Sequence, residues 1–327
     1  KNQLQNLTNI ATDLAQLQQP PHTLGAVLHV PKTGGSTLSK VLRNACHSWV
    51  KKPCHVPNNE SIASRFTTYY HTPDFQKISK QRHHHTFFIW TVRDPFSRTV
   101  SSFRYQHPEN LRTRHEMIER GEMSGKEYNY KQNMAPKPLY DRCFPTLNRF
   151  ALLFQNASNA TVQHHSPHKN NKFSTTIISE ADTHNMTCED IAQAIMNHQS
   201  QNIAGHLYFD YRNFHAQVLS TKDDDKLHFA VRTENLWQDW VHINRLLGQR
   251  SNVTTYEHQV LRDSTNTQFP VTAEIGDLER TYLCNSPAMQ EEYKVYFDIL
   301  SRSININDEE LGKMKQLAKK NCPTLEL

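Results

Sequence analysis

Two short segments of the chain combine residue types and spacing suited to holding anions: Pro31-Lys32-Thr33-Gly34-Gly35-Ser36-Thr37-Leu38 and Arg93-Asp94-Pro95-Phe96-Ser97-Arg98-Thr99-Val100-Ser101. In the first, Gly34 and Gly35 let the backbone come close to a ligand and adopt dihedrals closed to other residues. The amides from Thr33 to Leu38 can then converge on one phosphate at the positive end of a helix, with Lys32 as a mobile cation and Ser36 and Thr37 as hydroxyl donors. The lysine precedes the glycines, whereas a Walker A loop places it after them, which disfavours a nucleoside-triphosphatase. In the second segment, Arg93 stands at the end of an apolar run, where a guanidinium can grip a phosphate with two parallel hydrogen bonds. Ser101, eight residues on, falls about two helical turns into the next helix and can offer its hydroxyl to the same group. Taken alone, the first segment reads as an ordinary turn and the second as a helix start with a surface ion pair. Their order, each after a strand, points to a ligand with two separate anionic groups.

Those segments need elements to hold them. Leu24 to Val30 is short, apolar and bounded by proline, as a buried parallel strand is. Ser36 to Val50 carries Leu38, Val41, Leu42 and Ala45 at helical spacing. Phe66 to Tyr70 is β-branched and aromatic, and Thr86 to Val92 is the strongest strand pattern. After it, Asp94 is the expected N-cap and Pro95 the first helical residue. A fourth strand is expected over Leu227 to Val231, preceded by a helix over Leu207 to Leu219 and followed by Thr233-Glu234-Asn235-Leu236 and a helix through Trp237, Trp240 and Leu246. The two tryptophans read as packing residues rather than sugar platforms. This alternation predicts a P-loop-like three-layer α/β fold: a central, mostly parallel sheet flanked by helices, with ligands at the carboxyl ends of the strands.

Elsewhere the pattern is less regular. Residues 1–23 are polar, end in Pro20-Pro21 and read as a stem or loosely attached segment, leaving residues 24–327 as a single domain with an insertion around 106–187. From Gln106 to Pro145 basic and acidic residues alternate, as in a solvated helix-and-loop insertion; an anionic-substrate surface is the other reading. Helices are expected over Thr146 to Phe154, Glu189 to Asn197, Thr281 to Leu300 and Asp308 to Lys320, and residues 251–275 read as irregular. His83-His84-His85 reads as a polar loop before the third strand, since three consecutive residues on an extended chain cannot all face one metal ion.

The chain has 327 residues, enough for a sizeable core, and a formal net charge of +5. Its mean hydropathy is −0.74. This mild basicity suits anionic ligands but does not argue for nucleic acid as a partner. No stretch approaches the roughly 18–20 apolar residues that span a bilayer. The sequence starts at Lys1, which leaves room for a preceding targeting or anchor segment. Cys46, Cys54, Cys143, Cys188, Cys284 and Cys322 form no CxxC pair, so no zinc site is expected, and they read either as disulfides or as reduced, partly buried thiols. Glycosylation sequons at Asn6, Asn59, Asn156, Asn159, Asn185 and Asn252 tilt the reading towards a secretory compartment.

Together these segments resemble the sulfotransferases that use 3′-phosphoadenosine 5′-phosphosulfate (PAPS), most closely the Golgi carbohydrate branch that includes heparan sulfate 2-O- and 6-O-sulfotransferases. Val30 to Thr37 resembles that branch's 5′-phosphosulfate loop and Val92 to Tyr105 its 3′-phosphate motif. Val231-Arg232-Thr233-Glu234-Asn235-Leu236 is similar to a later segment near the adenine and the 3′-phosphate, with Arg232 standing where the pattern is apolar. The resemblance covers residues 24–105 and 227–247. It implies sulfuryl transfer from PAPS to a hydroxyl, most simply of a glycan, in the Golgi or secretory lumen, leaving 3′-phosphoadenosine 5′-phosphate (PAP) and needing no metal. The implied nucleotide contacts are Lys32, Thr33, Gly34, Gly35, Ser36, Thr37, Leu38, Arg93, Ser101 and Thr233. Lys32 is expected to stabilise the leaving phosphate. The acceptor's base is expected at the end of the second strand, at His71, because an unperturbed imidazole, with a pKa of about 6.5, can accept a proton near neutrality; a His in the corresponding stretch of the related enzymes has that role, and Glu60, Asp74 and His55 are rivals. Two alternatives remain: a P-loop-type phosphotransferase using ATP and magnesium, and a catalytically inactive glycan-binding protein that keeps the fold.

Overall fold

The computed structural model describes residues 25–31, 33–34, 38, 66–70, 85–121, 137–159, 185–196, 211–218, 226–247 and 274–326. These fall into two compact units. The first takes the described residues up to Asp94, those from Tyr211 to 247, and Lys294–Met314; the second takes the remainder.

The first unit is built on β1 (Gly25–His29), β2 (Phe66–Tyr70), β3 (Phe87–Val92) and β4 (Leu227–Arg232). They form one sheet in the order β2-β1-β3-β4, with every neighbouring pair parallel. Every residue of β1, β3 and β4 is buried, as expected of parallel strands covered on both faces and rich in Val, Phe, Ile and Leu. Side chains alternate between the faces. Val27, Phe87, Ile89, Leu227, Phe229 and Val231 point to one side and pack against Leu38 and the helix Leu236–Leu246 through Trp240 and Ile243. Trp237 leans on the same cluster, so both tryptophans pack, as the sequence indicated. The opposite parity holds Trp90, whose indole N–H donates to His228 Nδ1 at 3.1 Å, while His228 stacks on Phe88 with ring centroids 5.6 Å apart.

The sheet order places a topological switch between β1 and β3. The chain moves from β1 outward to β2, then returns to the other side of β1 for β3 and continues outward to β4. In open α/β sheets the crevice beyond the carboxyl ends of the strands at such a point is where ligands bind. The segments leaving β1 and β3 there are the two whose residue types suit anions.

The second unit is helical. It begins with α1 (Pro95–Gln106), where the sequence placed a helix start, and continues with α2 (Pro108–Glu119), α3 (Lys137–Cys143), α4 (Leu147–Asn159) and α5 (Cys188–Met196). An aromatic cluster of Phe103, Tyr140, Phe144, Phe150 and Phe154 joins α1, α3 and α4. Disulfides link Cys143 to Cys188 and Cys284 to Cys322, so of the two readings of these four cysteines the paired one holds; Cys46 and Cys54 lie outside the described residues. In α2 the mixed charges sit in exposed same-helix pairs such as Arg112–Glu116, in keeping with a solvated insertion.

In chain order the later helices are α6 (Tyr211–Val218), α7 (Leu236–Leu246), α8 (Asp277–Asn285), α9 (Pro287–Arg302) and α10 (Asp308–Asn321). The single helix expected over Thr281 to Leu300 is in fact two. Ser286 is extended (φ −63°, ψ 137°), its hydroxyl donates to Leu283 O at 2.8 Å and accepts from the Met289 N–H at 3.3 Å, and Pro287 starts the second helix. A proline tolerated at the first helical position cannot sit in a helix interior, because it lacks an N–H and crowds the carbonyl four residues back. His85 also departs from the polar-loop expectation: it is buried, its ring edge-on to Phe88 at 5.9 Å. His83, His84, the helix expected after Ser36 apart from Leu38, and residues 251–273 lie outside the described residues.

Candidate functional site

β1 ends at His29 and the loop that follows is tied down from below. Thr33 Oγ1 donates to Val30 O at 2.6 Å and lies 2.6 Å from Thr91 Oγ1, which itself donates to Leu28 O at 3.1 Å. The Thr33 side chain is therefore an anchor joining the loop to β1 and β3, with its hydroxyl proton engaged at Val30 O. Gly34 has φ +74°, a left-handed conformation that costs an L-residue roughly 1–2 kcal/mol. A Cβ there would meet Leu236 Cδ1 at 3.0 Å and Thr233 Oγ1 at 3.5 Å. Two reasons for glycine thus coincide, the dihedral and the close approach of the turn after β4. The Leu38 N–H donates to Gly34 O at 3.1 Å, the first helical bond after the loop. Lys32, Gly35, Ser36 and Thr37 lie outside the described residues, as does His71, one residue past β2.

The turn that touches Gly34 is a short 3₁₀ segment, Thr233–Asn235, running from β4 into α7. Thr233 Oγ1 donates to Val92 O at 3.1 Å, fastening the turn to the end of β3. Its proton is engaged there. Arg232, at the last position of β4, is buried. Its Nε donates to Asp239 Oδ2 at 2.8 Å, one terminal nitrogen donates to Asp239 Oδ1, and that nitrogen also reaches Glu310 Oε1 at 2.7 Å. The Arg232 backbone N–H donates to Asp239 Oδ2 at 2.7 Å. Burial opposes the Arg232 charge, but the two carboxylates outweigh it and hold the guanidinium above its ordinary pKa. The arginine that breaks the apolar pattern is thus a strut binding β4, α7 and α10 together.

Arg93 is the first residue after β3. Its N–H donates to the Tyr211 hydroxyl at 2.7 Å and that hydroxyl donates to Arg93 O, also at 2.7 Å. Glu234 lies close enough to Arg93 and Asp94 for both charges to act on its carboxylate. The Glu234 side chain is exposed to solvent, and the direction of its pKa shift is upward from the protein packed around the carboxyl, opposed by the Arg93 charge. The structure thus brings Thr33, Gly34, Leu38, Arg93 and Thr233 to the carboxyl ends of β1, β3 and β4.

Ser101 belongs to the second unit, on α1, where it is buried and its Oγ has no hydrogen-bond partner among the described residues. The neighbouring Ser102 hydroxyl is in the same state. Arg98, on the same helix, is buried 3.8 Å from Glu292.

Sequence reasoning did not single out Tyr211 or Glu234 as site residues. Glu234 adjoins a chosen threonine. Tyr211 gave no signal, since an aromatic at a helix start has many ordinary explanations.

A family model described as the sulfotransferase family matches residues 21–298. That span contains both anion segments, the turn after β4, and the stretch from Gln106 to Gln201 that motif comparison left unplaced. No curated protein and no solved structure matches the chain. With most of its length in that match, and with a parallel α/β sheet carrying the two anion segments at its switch point, the chain belongs to the sulfotransferase family, that of Golgi carbohydrate sulfotransferases such as the heparan sulfate sulfotransferases.

Proposed function

We propose that the protein transfers the sulfuryl group of PAPS to a hydroxyl of a glycan. The observation that carries this reading is the loop after β1, with Gly34 left-handed and pressed against the turn after β4, beside Arg93 at the end of β3. PAPS supplies the activated sulfuryl group. The loop amides from Thr33 to Leu38 hold the 5′-phosphosulfate and Arg93 the 3′-phosphate; on sequence grounds Ser101 is the second candidate for the latter. His71 takes the proton from the acceptor hydroxyl as its oxygen attacks sulfur in line, and Lys32 balances the charge left on the departing phosphate oxygen.

The disulfides Cys143–Cys188 and Cys284–Cys322 support an oxidising compartment, the Golgi or secretory lumen. Asn185 lies in an exposed turn before α5, and its sequon makes it the favoured glycosylation site of those described.

Transfer of labelled sulfate from PAPS to a panel of polysaccharides tests the reaction, and failure to bind PAP in calorimetry would sink it. A thermal shift with ATP and Mg²⁺ but none with PAP would favour the phosphotransferase. His71→Ala should keep PAP affinity and lose turnover; normal turnover would remove His71 from the mechanism. For the protein secreted from a eukaryotic host, glycosidase treatment should change the mass of the peptide containing Asn185, and Asn185→Gln should abolish the change.

A further inference from the structure

We propose that Tyr211 is a positioning residue for nucleotide binding, acting through the Arg93 peptide; this rests on the reading of Arg93 as the 3′-phosphate ligand. The β3–β1 ladder ends at Thr91 opposite His29, and the β3–β4 ladder ends at Val92 opposite Arg232. Arg93 therefore stands just past the sheet, where no strand pairing fixes its dihedrals. In an extended residue the N–H and C=O point to the same side, so a single group can meet both. The Tyr211 hydroxyl does this: it accepts from the Arg93 N–H and donates to the Arg93 C=O, each at 2.7 Å. One O–H donor and its lone pairs suffice for both bonds.

The clamp is only as rigid as its base, and that base is well held. Tyr211 is fully buried, it is the first residue of α6, and its ring lies against Tyr296 with centroids 6.0 Å apart. A tyrosine ring has two side-chain torsions, and packing fixes both. The hydroxyl is thus a fixed point, and it sets the direction in which the Arg93 side chain leaves the backbone. Pairing a guanidinium bidentately with a phosphate is sensitive to direction, because its donors form a planar fork. Tyr211 lies 118 positions from Arg93 in sequence and needs no contact with the ligand to matter.

A tyrosine that served only the stability of the fold would affect all ligands alike, so the test compares PAP with adenosine 5′-phosphate, which lacks the 3′-phosphate. In calorimetry, Tyr211→Phe should weaken PAP binding about tenfold, the scale of two lost hydrogen bonds, and change adenosine 5′-phosphate binding by less than about twofold. In an Arg93→Ala background, Tyr211→Phe should weaken PAP binding no further, since both changes act on one contact. Equal loss for both ligands, loss for neither, or additive losses in the double variant would overturn the proposal. If Tyr211→Phe does not fold, 3,5-difluorotyrosine at position 211, which keeps the shape and weakens the hydroxyl as an acceptor, must give the same split between the ligands, and its absence would overturn the proposal equally. A wild-type protein that binds no PAP at all would instead refute the sulfotransferase reading of the site and is distinguishable from every outcome above.

Discussion

Arg232→Met should be among the most damaging single substitutions in the sheet, and Asp239 is the reason. In the wild-type protein Asp239 is 3% exposed and its two carboxylate oxygens receive the Arg232 guanidinium and the Arg232 backbone N–H. Methionine fills much of the arginine's volume but leaves the Asp239 charge buried with one backbone hydrogen bond. Breaking a buried pair from one side costs about 3–5 kcal/mol, or roughly 6–20 °C in the unfolding midpoint at about 2–4 °C per kcal/mol. Burial already lifts the Asp239 pKa in the wild type, with Arg232 pulling it back. Without Arg232 the folded state binds a proton at Asp239 more tightly than the unfolded state does, so the variant's deficit should shrink as pH falls from 7 towards 5. Arg232→Met combined with Asp239→Asn should recover most of the loss, because the amide oxygen still accepts from the residue-232 N–H while the stranded charge is gone. Glu310, exposed to solvent over 28% of its side chain, stays hydrated in either case. Urea unfolding followed by tryptophan fluorescence, with Trp237 and Trp240 on the adjoining α7, measures all three proteins. If Arg232→Met lies within about 1 kcal/mol of wild type at pH 7, or the double variant is no more stable than the single one, the strut argument fails.

Gly34→Ala should lower stability by about 1–2 kcal/mol from the left-handed backbone alone, with a further loss as Leu236 Cδ1 retreats from the new methyl; a thermal-shift midpoint equal to wild type would refute this. His107 caps α2 by accepting the Glu109 N–H at Nδ1, which puts the ring proton on Nε2, donated to Pro145 O at 3.1 Å. Burial, partly offset by the Pro145 carbonyl and nearby Glu109 and Asp141, lowers its pKa below the ordinary 6.5, so the unfolded chain takes the proton first and stability present above about pH 6.5 is lost as pH falls towards the lowered value. His107→Asn keeps an acceptor at the cap and should flatten that slope in denaturant midpoints measured from pH 7.5 to 5; equal slopes would remove the assignment. Replacing Cys143 and Cys188 together by alanine opens a link across 45 positions and should cost up to about 4 kcal/mol by loop-closure entropy, and an unchanged urea midpoint would show that the bridge does not constrain the unfolded chain.

The parts of the fold that could be read in the sequence were those where one local pattern has one physical meaning. A fully apolar run such as Phe87 to Val92 can be satisfied only by burial on both faces, and β3 lies where that run lies. The start of α1 at Pro95 followed from Asp-Pro chemistry at a helix N-terminus. The break at Ser286 was missed because helical periodicity continues through it, and a proline between two amphipathic stretches matters more than periodicity. Within the site, Gly34 was found from its type, since few needs other than an unusual dihedral or a close approach favour glycine there. Thr33 and Thr233 lie at the strand ends where the sequence put them, but their hydroxyl protons go to Val30 O and Val92 O. Sequence spacing gives a residue's position and cannot say which neighbour its proton goes to.

That difference explains why Tyr211 and the role of Arg232 were invisible beforehand. Tyr211 acts on Arg93 from a segment far away in the chain and Arg232 from beside Thr233, each with a buried polar group whose partners come from other elements. A buried hydroxyl or guanidinium must find partners or lose stability, so once the fold has brought such a group near a strand end it holds that end in one geometry. The cost of breaking the arrangement, as in Arg232→Met, measures how firmly it is held. A loop that binds anions through backbone amides gains most from supports of this kind, because its amides bind well only while they point at one place. The motif residues thus mark where the nucleotide is expected to sit, and Thr33, Thr233, Arg232 and Tyr211 tie down the backbone at those strand ends.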